Sequence, residues 1–451
     1  MSGTTEGAGA ASPPNPSSAP NTAVDEPGAE AGPQSPIPFS EALAVHARIG
    51  LLSFGGPAGQ IALMQSEIVD RRGWVAPQAF DRGLSFAMML PGPEAQQLAT
   101  WLGWRMHGLA GGIAAGLSFI LPGMVLMLAL AWIAAARGEA PFVAAIFAGV
   151  QPVVIAVVLQ AMMKLGKRAL GRTEAYALAA AAFAGIAILG LPFPLIVALA
   201  AVAGYVLLGD KDAQSAPQPA DLPPFRDGAL RIVAACVGIG LAVFALISLV
   251  LGSVPYTGVA ELFTSAAFVS FGGAYALLPY VADRAVEHYG WLGPADMLNG
   301  LAIAEATPGP LILVNTYAGF FAGWSAEGGG AAMALTTGVL ATFYTFLPSF
   351  MLILAFAPAV ERIGTVPWAR RALAGVSAAV VGVIANLALY LAEASFLPEG
   401  LTGTPAWAKI ALFAIALYLV FARGMGVLLL VGLGAGAGLV LHLIGLEQAD
   451  E

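Results

Sequence analysis

The stretch SFGGPAGQ at residues 53–60 lies inside a long apolar segment, where a membrane-spanning helix is expected, yet it contains three glycines and a proline. Further along, LPGP at 90–93 interrupts another apolar segment in the same way. In lipid an unpaired backbone group costs several kcal/mol, so irregular backbone persists only inside protein or against a water-filled cavity. The two breaks therefore predict a polar interior.

The composition predicts an all-α polytopic membrane protein. Hydrophobic residues make up 59% of the chain and charged residues 10%, with a mean hydropathy of +0.82, whereas soluble domains carry about 25% charged residues. A single cysteine, Cys236, excludes an intrachain disulfide and a multi-cysteine metal site, and four scattered histidines argue against a histidine cluster. No nucleotide-binding, hydrolase or metalloprotease motif is present. We therefore expect no enzyme activity, no cofactor, no metal and no nucleic-acid partner.

Hydropathy predicts thirteen membrane spans. They lie near 39–68, 80–103, 109–136, 141–163, 175–190, 192–208, 229–252, 257–281, 297–322, 331–357, 371–396, 406–422 and 424–445. The two adjacent segments at 175–208 have an alternative interpretation, a re-entrant hairpin that does not cross the membrane. Residues 1–38 are rich in Pro, Ser, Ala and Gly and lack a basic n-region, which predicts a disordered tail rather than a secretory signal.

The two halves of the chain are related by an internal repeat. At an offset of 217 residues, 53–93 aligns without a gap to 270–310, with identities clustered on Gly, Trp and Pro. Beyond a nine-residue insertion, AGV at 148–150 matches AGV at 374–376. This self-similarity predicts a first repeat at 39–208, a linker with an extra helix at 209–253, a second repeat at 254–446 and a C-terminal tail at 447–451.

The span count predicts that the repeats are inverted. Each repeat has six expected segments, and the extra crossing at 229–252 turns the second repeat upside down. Most basic residues outside the spans fall on the side of the N-terminus, which identifies that side as cytoplasmic and places the C-terminus in the periplasm.

Breaks at matching places in two inverted repeats point to the central site of a transporter. A helix that resumes after Pro-Gly-Pro aims N–H groups and a positive dipole end at the cavity, which favours an anion. The simpler alternative is that the glycines only allow close helix packing. The candidate substrate-binding residues are Arg48, Gly55, Gly56, Gly92, Gln96, Gln97, Gly272, Gly273, Gly309, Asn315 and Thr316.

Ionisable side chains within spans are costly and are functional candidates. Arg48 would balance a dianion, or alternatively pair with Glu41 or extend to the surface. Glu94 follows Pro93 directly, where a carboxylate either stabilises the helix start or competes with the anion and couples binding to pH. Glu305, just before the second Pro-Gly-Pro, is the rival proton carrier.

The sequence resembles the chromate ion transporter family of the long, two-domain kind. The resemblance lies in SFGGPAGQIALMQSEIVDRRGWV, MLPGPEAQQLATWLGWRMHG and LSFILPG of the first half. The second half repeats the pattern in VSFGGAYALLPYVADRAVEHYGW and EATPGPLILVNTYAGF. The resemblance spans 39–446. One departure is Ala274-Tyr275-Ala276 in place of Pro57-Ala58-Gly59.

The resemblance implies a secondary transporter that exports chromate across the bacterial inner membrane and confers chromate resistance, by ion or proton exchange. The alternatives are a sulfate or other oxyanion transporter and an anion channel. The expected partners are the oxyanion and the lipid bilayer, and a homo-oligomer is compatible with the sequence.

Overall fold

The computed structural model describes residues 3, 37–54, 56–138, 140–208, 227–252, 254–271, 274–360, 367–397 and 406–444. The C-terminal tail at 447–451, nearly all of the N-terminal tail and the polar stretch 209–226 lie outside these residues. So do three of the predicted site glycines, Gly55, Gly272 and Gly273.

The described residues form helices and connections, with no strand among them. The α-helices are α1 (Phe39–Leu52), α2 (Gly56–Met64), α3 (Pro77–Ala87), α4 (Glu94–Arg137), α5 (Pro141–Ala169), α6 (Thr173–Ala187), α7 (Phe193–Leu207), α8 (Asp227–Leu251), α9 (Tyr256–Val269), α10 (Ala274–Ala282), α11 (Pro294–Ala306), α12 (Val314–Trp324), α13 (Ala331–Phe356), α14 (Pro367–Phe396), α15 (Trp407–Arg423) and α16 (Val427–Leu443). Two π-helical turns, Gln65–Asp70 and Asp283–His288, extend α2 and α10, and 3-10 turns lie at Leu311–Leu313 and Ala357–Ala359.

Helix α4 is two helices joined at a kink. His107 and Gly108 have non-helical backbone angles, and Gly108 has a φ of +62°. We refer to the segments on either side as α4a (94–106) and α4b (109–137). A left-handed glycine at this point lets the chain reverse without a loop.

Five helices in the described part of the chain are long and apolar enough to cross a membrane: α4, α5, α8, α13 and α14. The thirteen expected spans do not appear as thirteen helices of that length. Four expected segments, at 39–68, 80–103, 257–281 and 297–322, are each divided in two by the breaks. Helices α6 and α7 have 15 residues each, about 22 Å, which is less than the ~30 Å hydrocarbon core. The architecture is that of an all-α polytopic membrane protein with fewer long helices than expected.

Helix α8 corresponds to the extra segment expected at 229–252, and it is the long helix least covered by the rest of the chain. None of its most apolar stretch is buried. Leu249 is 85% exposed and Leu241 64%. A helix that is apolar and exposed on this scale faces lipid.

The short helices fold back on each other in pairs. A Cβ at Gly83 would lie 2.4 Å from the ring of Trp101, and one at Gly300 would lie 2.4 Å from the ring of Tyr317. Gly258, at the start of α9, faces Trp291, which follows α10. These contacts define hairpin 2 (α3–α4a), hairpin 4 (α11–α12) and hairpin 3 (α9–α10). The equivalent pair α1–α2 is hairpin 1.

Equivalent long helices of the two halves run antiparallel. Three glycines lie at the α4b–α13 contact, and residue numbers that increase along α4b face numbers that decrease along α13. Gly112 faces Leu354, Gly116 faces Phe350, and Leu128 faces Gly338. The first and last of these pairs are related by the same shift of 226 residues that relates the two AGV sequences. The contact therefore has two-fold pseudosymmetry.

The two halves also exchange packing partners. Helix α5 packs on α16, where a Cβ at Gly149 would lie 2.1 Å from the Gly434 oxygen. Helix α14 packs on α7, where one at Gly375 would lie 2.5 Å from Gly204 Cα. Small residues let helix backbones approach this closely, which is how helices associate where lipid removes the hydrophobic driving force.

We predict that Gly438→Val destabilises the protein, because a Cβ at Gly438 would lie 2.0 Å from the Ala145 oxygen and overpacking costs about 1–3 kcal/mol. The melting temperature of the purified protein in detergent measures this. Gly436→Val on the same helix is the matched control, since no described atom lies within 4 Å of a Cβ there. Equal melting temperatures for the two variants would contradict the close α5–α16 contact.

Candidate functional site

The tips of the four hairpins meet in pairs, one from each half. We call them tip 1 (Ser53 and Phe54), tip 2 (91–93), tip 3 (Ser270 and Phe271) and tip 4 (308–310). The Gly92 N–H of tip 2 donates to the Ser270 oxygen of tip 3 at 2.8 Å, and the Gly309 N–H of tip 4 donates to the Ser53 oxygen of tip 1 at 3.0 Å. The two bonds are equivalent under the 217-residue offset.

Glycine is required at both central tip positions. The φ angles are +122° at Gly92 and +96° at Gly309, a region that L side chains rarely adopt. The tips are also packed against the long helices, since Ser349 Oγ would lie 3.0 Å from a Cβ at Gly92, and the Pro308 oxygen would lie 2.2 Å from a Cβ at Gly123. Gly123 and Ser349 are equivalent positions in the two repeats.

The backbone of tips 1 and 4 is further bonded by a side chain that the sequence did not single out. Gln60 Nε2 donates to the Gly309 oxygen at 2.7 Å and to the Ser53 oxygen at 3.3 Å. The side chain is 1% exposed. Its equivalent in the second repeat is Leu277, whose side chain cannot donate such a bond.

The tip bonds use N–H groups inside the breaks, not those of the helices that follow. The sequence predicted that the N–H groups of the helices resuming after Pro93 and Pro310 face the cavity, and the N–H groups of Gly92 and Gly309, which precede those helices, are bonded to the opposite tip. Pro93 is the residue before α4, and Pro310 is the residue before the 3-10 turn. The positive helix end at Glu94 has no side-chain cap from Pro93.

Four of the predicted polar site residues make hydrogen bonds to their own hairpin or to a long helix. Gln96 accepts from Ser349 Oγ at 2.6 Å. Asn315 Nδ2 donates to Thr345 Oγ1 at 3.1 Å, and Thr316 shares a 2.7 Å hydrogen bond with Thr342. Gln97 Nε2 donates to the Pro91 oxygen of its own tip at 2.8 Å.

Three of these bonds end on one face of α13. Thr342, Thr345 and Ser349 are spaced i, i+3 and i+7 and are all buried, so they form a single polar stripe along the helix. Sequence reasoning missed the stripe, although its spacing in an apolar segment was a detectable signal.

A cavity of about 300 Å³ opens beside tip 2. Its wall includes Gly92 and Glu94 of hairpin 2, Arg168 of α5 and Ser377 of α14. Phe271 of tip 3 also lies in the wall. We call it the Arg168 cavity. Arg168 and Glu94 both lie in its wall, so a guanidinium and a carboxyl group share one cavity. Arg168 was counted in the sequence only as one of several basic residues after the fourth expected span.

Arg48 and Gly56 lie near tip 1. Arg48 is exposed on α1. The buried Glu67 carboxylate is paired with two other arginines, Arg71 at 2.5 Å and Arg72 at 2.6 Å. Arg48 is not among the residues that line the Arg168 cavity. Gly56, with a φ of +73°, begins α2.

Glu305 is buried at the end of α11, just before tip 4, and is 4% exposed. The Tyr275 hydroxyl donates to its carboxylate and so joins hairpins 3 and 4. Tyr275 is the centre of the sequence departure noted above. In the first repeat the equivalent residues are Ala58 and Met88, so the bonded pair as a whole belongs to the second repeat.

Comparison with known proteins identifies the family of this chain. The family model described as Chromate transporter matches residues 40–205 and 257–439. The chain is 33% identical over 370 residues to a chromate transport protein of Pseudomonas aeruginosa, covering 79% of this chain and 82% of that protein. It is 27% identical over 380 residues to a chromate transport protein of Cupriavidus metallidurans, covering 83% and 86%. No solved structure matches the chain. The repeated tips lie within both matched regions, and the chain belongs to the chromate transporter family.

Proposed function

We propose that this protein is a secondary transporter that exports chromate, or a related tetrahedral oxyanion such as sulfate, across the bacterial inner membrane and so confers chromate resistance. The observation that carries the proposal is the Arg168 cavity, whose wall includes the Arg168 guanidinium and the start of α4 beside the paired tips. A guanidinium can donate two parallel hydrogen bonds to an oxyanion, and a helix start favours negative charge.

We further propose that the two repeats are inverted and that the hairpins are re-entrant, entering from opposite sides. The antiparallel α4b–α13 contact and the exchanged tip bonds support this arrangement. With two long crossings in each half and α8 between them, the number of crossings is odd. The N-terminus is then cytoplasmic, as the basic residues indicate, and the C-terminus periplasmic.

In this arrangement the Arg168 cavity faces the cytoplasm. Arg168 attracts the dianion, and the start of α4 offers it a second region of positive potential. Glu94 occupies that same helix start, so its ionised carboxylate competes with the anion. Protonation of Glu94 removes the competition and makes binding depend on pH. Glu305, held by Tyr275 near the other pair of tips, is the second candidate for proton coupling.

The direct test is uptake of labelled chromate by everted vesicles that contain the protein. We expect saturable uptake that sulfate inhibits by competition, since both anions are tetrahedral dianions. A flux that follows membrane voltage alone, without exchange of labelled for unlabelled anion against a gradient, would instead identify an anion channel.

We predict that Arg168→Gln raises the KM for chromate in everted vesicles by about tenfold or more, because hydrogen bonds to a charged group contribute roughly 1.5–3 kcal/mol. Lys167→Gln is the matched control, since it removes one positive charge from the adjacent position, which does not line the cavity. Equal KM values for the two variants would show that only the general positive charge at this end of α5 matters.

We predict that Glu94→Gln changes the pH dependence of chromate flux more than its maximal rate, because the variant carries no titratable competitor at the start of α4. The measurement is the flux at subsaturating and saturating chromate across a pH series. A pH profile identical to that of the parent protein would transfer the coupling role to Glu305, and Glu305→Gln is the parallel variant that tests this.

A further inference from the structure

A second cavity, of about 770 Å³, lies at the opposite end of α5 from Arg168. It is bounded by the end of α4b, the first half of α5, hairpin 4, α15 and α16. Its polar side chains are Gln151, Asp296, Asn299 and Lys409. We call it the Lys409 cavity. Gln151 and Arg168 are 17 positions apart on one helix, which corresponds to about 25 Å.

The two cavities occupy equivalent places in the pseudosymmetric fold. Three wall positions of the Lys409 cavity, shifted by 226 residues, give three wall positions of the Arg168 cavity: Phe147 corresponds to Leu373, Ala148 to Ala374 and Gln151 to Ser377. Arg168 itself corresponds to Ala394, so the cation of the Lys409 cavity comes from a different helix, α15.

Three polar side chains of the Lys409 cavity form a chain of hydrogen bonds. Lys409 Nζ donates to Gln151 Oε1 at 3.2 Å, and Gln151 Nε2 donates to Asn299 Oδ1 at 3.0 Å. Gln151 is 7% exposed and Asn299 is 9% exposed. The Asn299 side-chain oxygen already accepts a hydrogen bond in this chain. A ligand would therefore meet the Asn299 Nδ2 group, which can only donate.

The acidic residue of the cavity is engaged at the start of its own helix. Asp296 Oδ2 accepts from the Gly293 N–H at 3.3 Å, as a capping carboxylate does. Capping leaves the Asp296 charge in the wall, so Asp296 competes with a bound anion as Glu94 does in the Arg168 cavity, while the Lys409 ammonium and the Asn299 amide supply the donors that an anion needs.

We infer that the Lys409 cavity is a second binding site for the transported tetrahedral dianion, held by Lys409 and the Asn299 amide on the periplasmic side of the tips. This inference rests on the proposed function, because it takes the anion and the orientation from it. The Arg168 cavity and the Lys409 cavity then lie at opposite sides of the paired tips and receive the anion in turn.

The test is the KM for labelled chromate in vesicles of both orientations. We expect Lys409→Gln to raise the KM for chromate presented at the periplasmic face by about tenfold, with little change at the cytoplasmic face, and we expect Lys409→Arg to stay near the parent value. Arg168→Gln should show the opposite sidedness. Unchanged KM at both faces for Lys409→Gln would overturn the inference, whereas absence of saturable flux in the parent protein would overturn the proposed function instead.

A second measurement does not depend on flux through the variant. In a Cys236→Ser background, Ala144→Cys places a single thiol in the wall of the Lys409 cavity, where residue 144 is exposed. An impermeant anionic thiol reagent should modify it from the periplasmic face only, and sulfate should slow the reaction in the variant that retains Lys409 but not in Lys409→Gln. Equal rates with and without sulfate in both would contradict a bound anion.

Discussion

The constraint on which the structure depends is that backbone groups inside a membrane need hydrogen-bond partners. Four helices are broken here, and each break leaves groups that helix geometry cannot satisfy. The two halves satisfy them for each other, since Gly92 of one half donates to Ser270 of the other and Gly309 donates to Ser53. Neither repeat is therefore complete alone. The exchanged packing of α5 on α16 and of α14 on α7 reinforces this dependence.

The scaffold is pseudosymmetric, but its polar groups are not. Glu94 at one tip corresponds to Leu311 at the other, and the bonded pair Tyr275–Glu305 corresponds to two apolar residues. Gln60 bridges one pair of tips, where the second repeat has a leucine. The unequal polar groups make the surroundings of the two pairs of tips chemically different. In the proposed transporter, such a difference between the two sides would allow a preferred direction.

The sequence was most informative about the tips and least informative about orientation of side chains. Glycine and proline break helices wherever they occur, so the positions of the breaks could be predicted from local chemistry alone. The number of spans could not, because a hydropathy window gives the same value for one long helix and for a hairpin of two short ones. Asn315 and Thr316 were predicted to bind the substrate, and the sequence did not predict their bonds to α13, since polarity does not reveal which side of a buried helix a residue occupies.

The tip bonds also bear on how the proposed transport would be coupled to anion binding. Separating a pair of tips breaks a backbone hydrogen bond and frees one N–H group, that of Gly92 or that of Gly309. An unsatisfied buried group costs about 1–3 kcal/mol, so the bonded arrangement is favoured while water is kept out. In the proposed cycle, an oxyanion beside a separated pair of tips accepts from the freed N–H group and so replaces the bond that was broken. Separation that is easier with the anion bound than without it would couple the movement to binding, which is the property that distinguishes a carrier from an open pore.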